Sequence, residues 1–126
     1  MRRILFVCVS NSCRSQMAEA FLNSLGKGRA EARSAGSRPA SKIDAGARRA
    51  MMEAGIPLPR TRPKLLTPEL LDWADTVITM GCKGACPRTD KPTADWGIPD
   101  PVGKPMAEYR RVREEIRRKV LGLLAH

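Results

Sequence analysis

The sequence predicts an α/β fold, a single domain over residues 1–126 with a central four-stranded parallel sheet flanked by helices. Three observations lead there. The run Arg3 to Val7, apolar from Ile4 onward, has the composition of a strand buried on both faces of a sheet. Strand-like runs then alternate with segments whose apolar residues recur at helical spacing, the pattern of parallel sheets. A chain of 126 residues can bury one core without disulfide staples, and no linker divides it.

After the first strand, Met17, Ala20, Phe21, Ser24 and Leu25 follow helical spacing, and Gly26 and Gly28 supply stop signals. Residues Cys8 to Ser15 therefore form a strand-to-helix turn. Ala30 to Ala35 reads as a second strand, ended by the turn-rich Gly36 to Ser41. Asp44 is placed to cap a helix through Ala54, stopped at Gly55. Thr67 followed by Pro68 opens the next helix with a capping hydroxyl and a first-turn proline. Thr76 to Met80 is a β-branched run, Trp96 lies on or beside a short fourth strand, and a last helix runs from about Lys104 to Leu124. In such sheets the ligand site lies beyond the carboxyl ends of the strands, where Cys8 and Cys82 both fall.

A formal charge of +10 points to an anionic substrate or partner. Much of it lies in the last helix, beside Met106, Tyr109, Val112, Ile116, Val120 and Leu123 at core-facing spacing, which favours a solvated helix face over a nucleic-acid stripe. The apolar stretch Ile4 to Val9 is too short for a membrane role, and no cleavage pattern precedes Cys8. The expected location is the cytoplasm, where thiols stay reduced, bind metal or do redox chemistry.

The stretch "CVSNSCRS" carries the chemistry. Cys8 and Arg14 bracket five residues that end at a helix start. A loop of that length can turn successive N–H groups inward from Val9 through Ser15, and the helix dipole adds positive charge there, making a nest for a tetrahedral oxyanion. Arg14 can clamp two oxygens with its planar fork. The same field suits an anionic Cys8 sulfur, to which the Ser12 and Ser15 hydroxyls can donate. A thiolate beneath a bound oxyanion is placed for in-line attack and then needs an acid for the departing oxygen. Asp100, in "PDP", is the preferred candidate over Asp72, Asp75, Asp90 and Asp95, which read as solvated loop or helix-end residues. An isolated cysteine ending a strand is more often an inert core residue; here spacing, strand and helix agree. Cys13 is expected to face the core.

A second pair, Cys82 and Cys86 in "GCKGACP", stands four apart after the third strand. Such a pair suits a relay in which a thiolate attacks a modified Cys8 sulfur and a third thiol carries the disulfide outward. Zinc held by two cysteine pairs, a structural disulfide and an inert loop are the rival readings.

With these residues in view, the chain resembles the arsenate reductases built on the low-molecular-weight protein tyrosine phosphatase fold. "VCVSNSCRSQMAEAF" is similar to that family's anion loop and first helix, "SAGSRPA" to its second strand and turn, "VITMGCKGACP" to its redox segment, and "DWGIPDPVGKP" to its acid loop. The resemblance implies that Cys8 is the nucleophile, Arg14 the oxyanion clamp, Ser15 a support for the thiolate, Asp100 the general acid, and Cys82 and Cys86 the second and third redox cysteines. It implies a monomeric enzyme of arsenical resistance that needs no cofactor beyond a thiol reductant: thioredoxin ahead of glutaredoxin or mycothiol. Some members bind potassium, and Asn11, Glu19 and Ser34 fit that pattern in part. The alternative is a low-molecular-weight protein tyrosine phosphatase working through a phosphocysteine. Gln16, where the similar phosphatases carry proline, Val102, where they carry an aromatic residue, and an aromatic content of 4% all weigh against it.

Overall fold

The structure is a computed structural model that describes residues 1–81 and 87–125. Its elements, in chain order, are β1 (Arg2–Cys8), α1 (Arg14–Leu25), β2 (Ala30–Gly36), α2 (Ala45–Glu53), α3 (Pro68–Trp73), β3 (Thr76–Thr79), β4 (Thr93–Asp95) and α4 (Met106–Leu124). The four strands form one sheet in the order β2-β1-β3-β4, every neighbouring pair parallel, as the sequence predicts. Cys8 pairs with Gly36 at the last rung of β1 and β2, so the anion loop and the turn after β2 leave the sheet side by side.

The central strand explains its own composition. Ile4, Phe6 and Cys8 face a large core built with Met17, Phe21 and Leu22 of α1, Met51 of α2, and Val112, Ile116 and Val120 of α4. Leu5 and Val7 point the other way and pack with Val77, Ala74 and the partly buried Leu70, Leu71 and Trp73 around α3. Both faces of β1 are thus apolar, which removes the alternation of a half-exposed strand. Among the described residues no helix is long and apolar enough to cross a membrane.

Element ends differ slightly from the sequence reading. The last helix starts at Met106 because Pro105 sits outside it with extended backbone (φ −61, ψ 159). Asp44 caps α2 by accepting from the Ala47 N–H at 3.1 Å, and Thr67 caps α3 by accepting from the Leu70 N–H at 3.2 Å, both as read from the sequence. Trp96 follows β4 directly and meets Phe6 with ring centroids 5.4 Å apart.

Candidate active site

The loop between β1 and α1 is shaped by where its carbonyls go. The Val9, Ser10 and Ser12 carbonyls accept from the Arg38, Ala40 and Asp44 N–H groups at 2.8, 3.0 and 2.9 Å. The Asn11 carbonyl accepts from Gln16 Nε2 at 3.1 Å. Every peptide bond here is trans, so a carbonyl tied outward sends the next residue's N–H the opposite way. The N–H groups of residues 10 to 13 therefore turn toward the interior of the loop, the nest expected for an oxyanion. No side chain caps α1 among the described residues, which leaves its first-turn N–H donors for a bound anion.

At the base of this loop Cys8 is 5% exposed, and two donors reach its sulfur. The Asn11 N–H lies 3.1 Å away and the Ser15 hydroxyl 2.8 Å away. Ser15 Oγ accepts from Asn11 Nδ2 at 2.7 Å and keeps its own proton to donate to the sulfur when that is a thiolate. Asn11 manages both contacts because it holds φ +52, the left-handed conformation that asparagine tolerates better than most residues.

Arg14 Nη1 donates to the Met80 carbonyl at 2.5 Å and to the Ile98 carbonyl at 2.6 Å. Those bonds tie the guanidinium to the end of β3 and to the loop before Asp100. Among the described residues Nε and Nη2 have no partner, which leaves one edge of the fork for an oxyanion. Arg14 and Asp100 line one cleft of about 540 Å³, together with Val9, Ser10 and Gly81. Asp100 Oδ1 accepts from the Val102 N–H at 3.1 Å, a bond within its own turn that leaves the carboxyl in solvent. Asp75 is excluded as an acid by position, since it accepts from the Arg3 N–H at 2.8 Å, at the start of β1. Asp95 is occupied with the Thr79 hydroxyl and the Gly81 N–H, both at 2.6 Å.

Cys13 lies in the core at 2% exposure, as expected. Burial pushes its thiol well above the ordinary cysteine range, and the Asp44, Asp100 and Cys8 charges push it further. Its place in the cradle is through its N–H alone. Cys82 and Cys86 lie outside the described residues.

Asn11, Glu19 and Ser34 do come together, but they do not fit a potassium site. Asn11 Oδ1 accepts from Gln16 Nε2 at 3.0 Å and from the Lys64 N–H at 2.8 Å. Ser34 gives its proton to Glu19 Oε1 at 2.7 Å, and the Lys64 ammonium stands 3.8 Å from the same oxygen. The oxygens are engaged and a positive charge is already in place.

Gly36 and Asp95 are supporting residues that sequence reasoning missed. A Cβ on Gly36 would lie 2.5 Å from the Val9 carbonyl and 3.0 Å from the Asn11 nitrogen, so only glycine lets β2 pass under the loop. Its place in "SAGSRPA" is the one signal the sequence holds for it.

Comparison with known proteins agrees with this geometry. An arsenate reductase of Bacillus cereus (strain Q1) is 36% identical over 124 residues, covering 94% of this chain and 91% of that one. A solved arsenate reductase in the phosphate binding state superposes with a TM-score of 0.91 at 33% identity, covering 99% of this chain and 98% of that one. The thioredoxin-dependent arsenate reductase of Corynebacterium glutamicum gives a TM-score of 0.84 at 35% identity, covering 99% of this chain and 61% of that longer one. The family model for low molecular weight phosphotyrosine protein phosphatase matches residues 3–126, and the chain belongs to that family.

Proposed function

We propose that this chain reduces arsenate to arsenite, with Cys8 as nucleophile. The observation that carries the reading is the pair of donors on the Cys8 sulfur, at the base of a loop whose N–H groups turn inward and whose arginine shares a cleft with Asp100. Relatives along nearly the whole chain include arsenate reductases, which supports the choice of oxyanion.

Arsenate is held by the loop N–H groups and the open edge of Arg14, which neutralise its charge as the thiolate approaches. Cys8 attacks arsenic, forming an S–As bond; an As–O bond breaks, and the departing oxygen takes a proton from Asp100 and leaves as water. The Cys82 thiolate then attacks the Cys8 sulfur. An S–S bond forms, the S–As bond breaks, and its electron pair stays with arsenic, which departs as arsenite. Two electrons have passed from two thiols to arsenic. Cys86 next attacks Cys82, Cys8 leaves as thiolate, and the Cys82–Cys86 disulfide is reduced by a dithiol. The Corynebacterium relative favours thioredoxin as that dithiol. The enzyme works as a cytoplasmic monomer in arsenic detoxification, without metal, nucleic acid or membrane.

Arsenate-dependent turnover with thioredoxin and its reductase tests this in the native chain and in Cys8→Ser, Cys82→Ser and Cys86→Ser. Loss in all three variants is expected. Turnover that survives Cys86→Ser and runs on glutaredoxin or mycothiol would refute the thioredoxin coupling. Brisk aryl-phosphate hydrolysis without arsenate reduction would refute the reductase in favour of the phosphatase.

A further inference from the structure

Gln16 is 1% exposed in the third position of α1, inside a polar pocket beneath the anion loop. Its Nε2 makes two bonds, to the Asn11 carbonyl at 3.1 Å and to Asn11 Oδ1 at 3.0 Å. Two facing oxygens settle which end of the carboxamide is the nitrogen. Its Oε1 is buried with no hydrogen-bond partner among the described residues, a cost that an apolar residue of similar shape would avoid. A side chain present only to fill the core has no reason to carry that cost.

The two bonds act on the residue that addresses the nucleophile. Asn11 is the sole non-glycine residue with positive φ among those described. That conformation sends its N–H to Cys8 Sγ and its Nδ2 to Ser15 Oγ, whose hydroxyl reaches the same sulfur. Gln16 grips Asn11 by main chain and side chain together, so both routes to the sulfur begin at its carboxamide.

We propose that Gln16 is a positioning residue that holds Asn11 left-handed and thereby keeps two hydrogen-bond donors on the Cys8 thiolate. The proposal rests on Cys8 being the nucleophile, not on which oxyanion it attacks. Gln16→Met removes the donor and the orphaned oxygen together at similar volume. Gln16→Glu keeps size and polarity but turns a carboxylate toward the Asn11 oxygens.

The test is alkylation of Cys8 by iodoacetamide across a pH series, in the full chain carrying Cys82→Ser and Cys86→Ser, with thermal melting beside it. Both variants are expected to alkylate about tenfold more slowly at mildly acidic pH and to shift the rate profile to higher pH, since each donor lost from an anion counts for that much or more. Gln16→Met should melt no earlier than its parent. If it folds and its profile superposes on the parent's, Gln16 only fills space and the proposal is wrong. Should it fold poorly, Gln16→Glu gives the same reading by the same profile. Arsenate takes no part in this assay, so a chain that fails to reduce arsenate would refute the proposed function and leave this inference standing.

Discussion

Two hydrogen bonds from the Asn11 amide and the Ser15 hydroxyl meet the sulfur of Cys8, and each donor to a charged acceptor contributes about 1.5–3 kcal/mol. Cys13, five residues on, stays inert in the core. In the proposed reaction the proton for the departing oxygen comes from Asp100. Asp100→Asn is expected to lower arsenate turnover by about 10²–10⁴-fold while leaving Cys8 alkylation at its native rate, because a general acid acts on the leaving group and not on the thiolate. Parallel measurement of turnover and alkylation checks this; slowed alkylation would instead place Asp100 in the thiolate's own support. At this scale the gathering of Cys8, Arg14 and Asp100 at one edge of the sheet was legible in the sequence, because loop spacing and a proline-flanked turn are local signals. Gly36 and Asp95 were not. Their roles are set by what lies across space from them: the Val9 carbonyl over Gly36, and the Thr79 hydroxyl and Gly81 N–H beside Asp95.

Among the elements, the close fit of neighbours separates two kinds of glycine effect. Gly36→Ala puts a methyl against the Val9 carbonyl and the Asn11 nitrogen, so it should disturb the loop and cut the rate of Cys8 alkylation sharply. Gly46→Ala, in α2, would drive its Cβ into the Tyr109 ring of α4, and overpacking of that kind costs about 1–3 kcal/mol. It should lower the melting temperature and leave Cys8 reactivity near native, a contrast that melting and alkylation measured together will show. The same helix pair is joined by Glu53, which accepts from Arg110 at 2.9 and 3.0 Å and from Arg113 at 3.2 Å. Those guanidiniums, Arg110 foremost, hold its carboxyl down from 4.5 to about 2. A depressed carboxyl stabilises the fold above its unfolded value and loses that contribution as pH falls toward the folded one. The native chain should therefore exceed Glu53→Gln in stability above about pH 4.5 and converge with it near pH 2, by denaturant titration at each pH. A gap that persists at the acid end would assign the effect to packing. Strand and helix order was readable from apolar periodicity. The start of α4 was not, because its proline cap and first turn look alike in sequence.

For the molecule as a whole, the formal charge is +10 and the proposed substrate is an anion. Long-range attraction of this kind raises capture of anionic substrate and is screened within about 8–10 Å at ordinary ionic strength. Arsenate kcat/KM should fall as salt rises, mainly through KM, and added neutral osmolyte should not reproduce the fall. The parallel sheet was legible because β1 and β3 are short apolar runs alternating with segments of helical spacing, whereas β4, exposed at all of Thr93–Asp95, left only Trp96 beside it as a signal; the site lies at the carboxyl ends of the strands as that architecture requires. Pairing between distant segments was not legible, including the tie from Arg14 to the Met80 and Ile98 carbonyls that joins three parts of the chain.

The most direct test of arsenate reduction by the chain's own thiols is a single turnover with no external reductant. Fully reduced protein mixed with arsenate should release about one equivalent of arsenite and lose about two thiols, leaving a Cys82–Cys86 disulfide on peptide mapping, and Cys8→Ser should release none. Release of arsenite by Cys8→Ser, or no arsenite from the native chain while it hydrolyses aryl phosphate, would contradict the account.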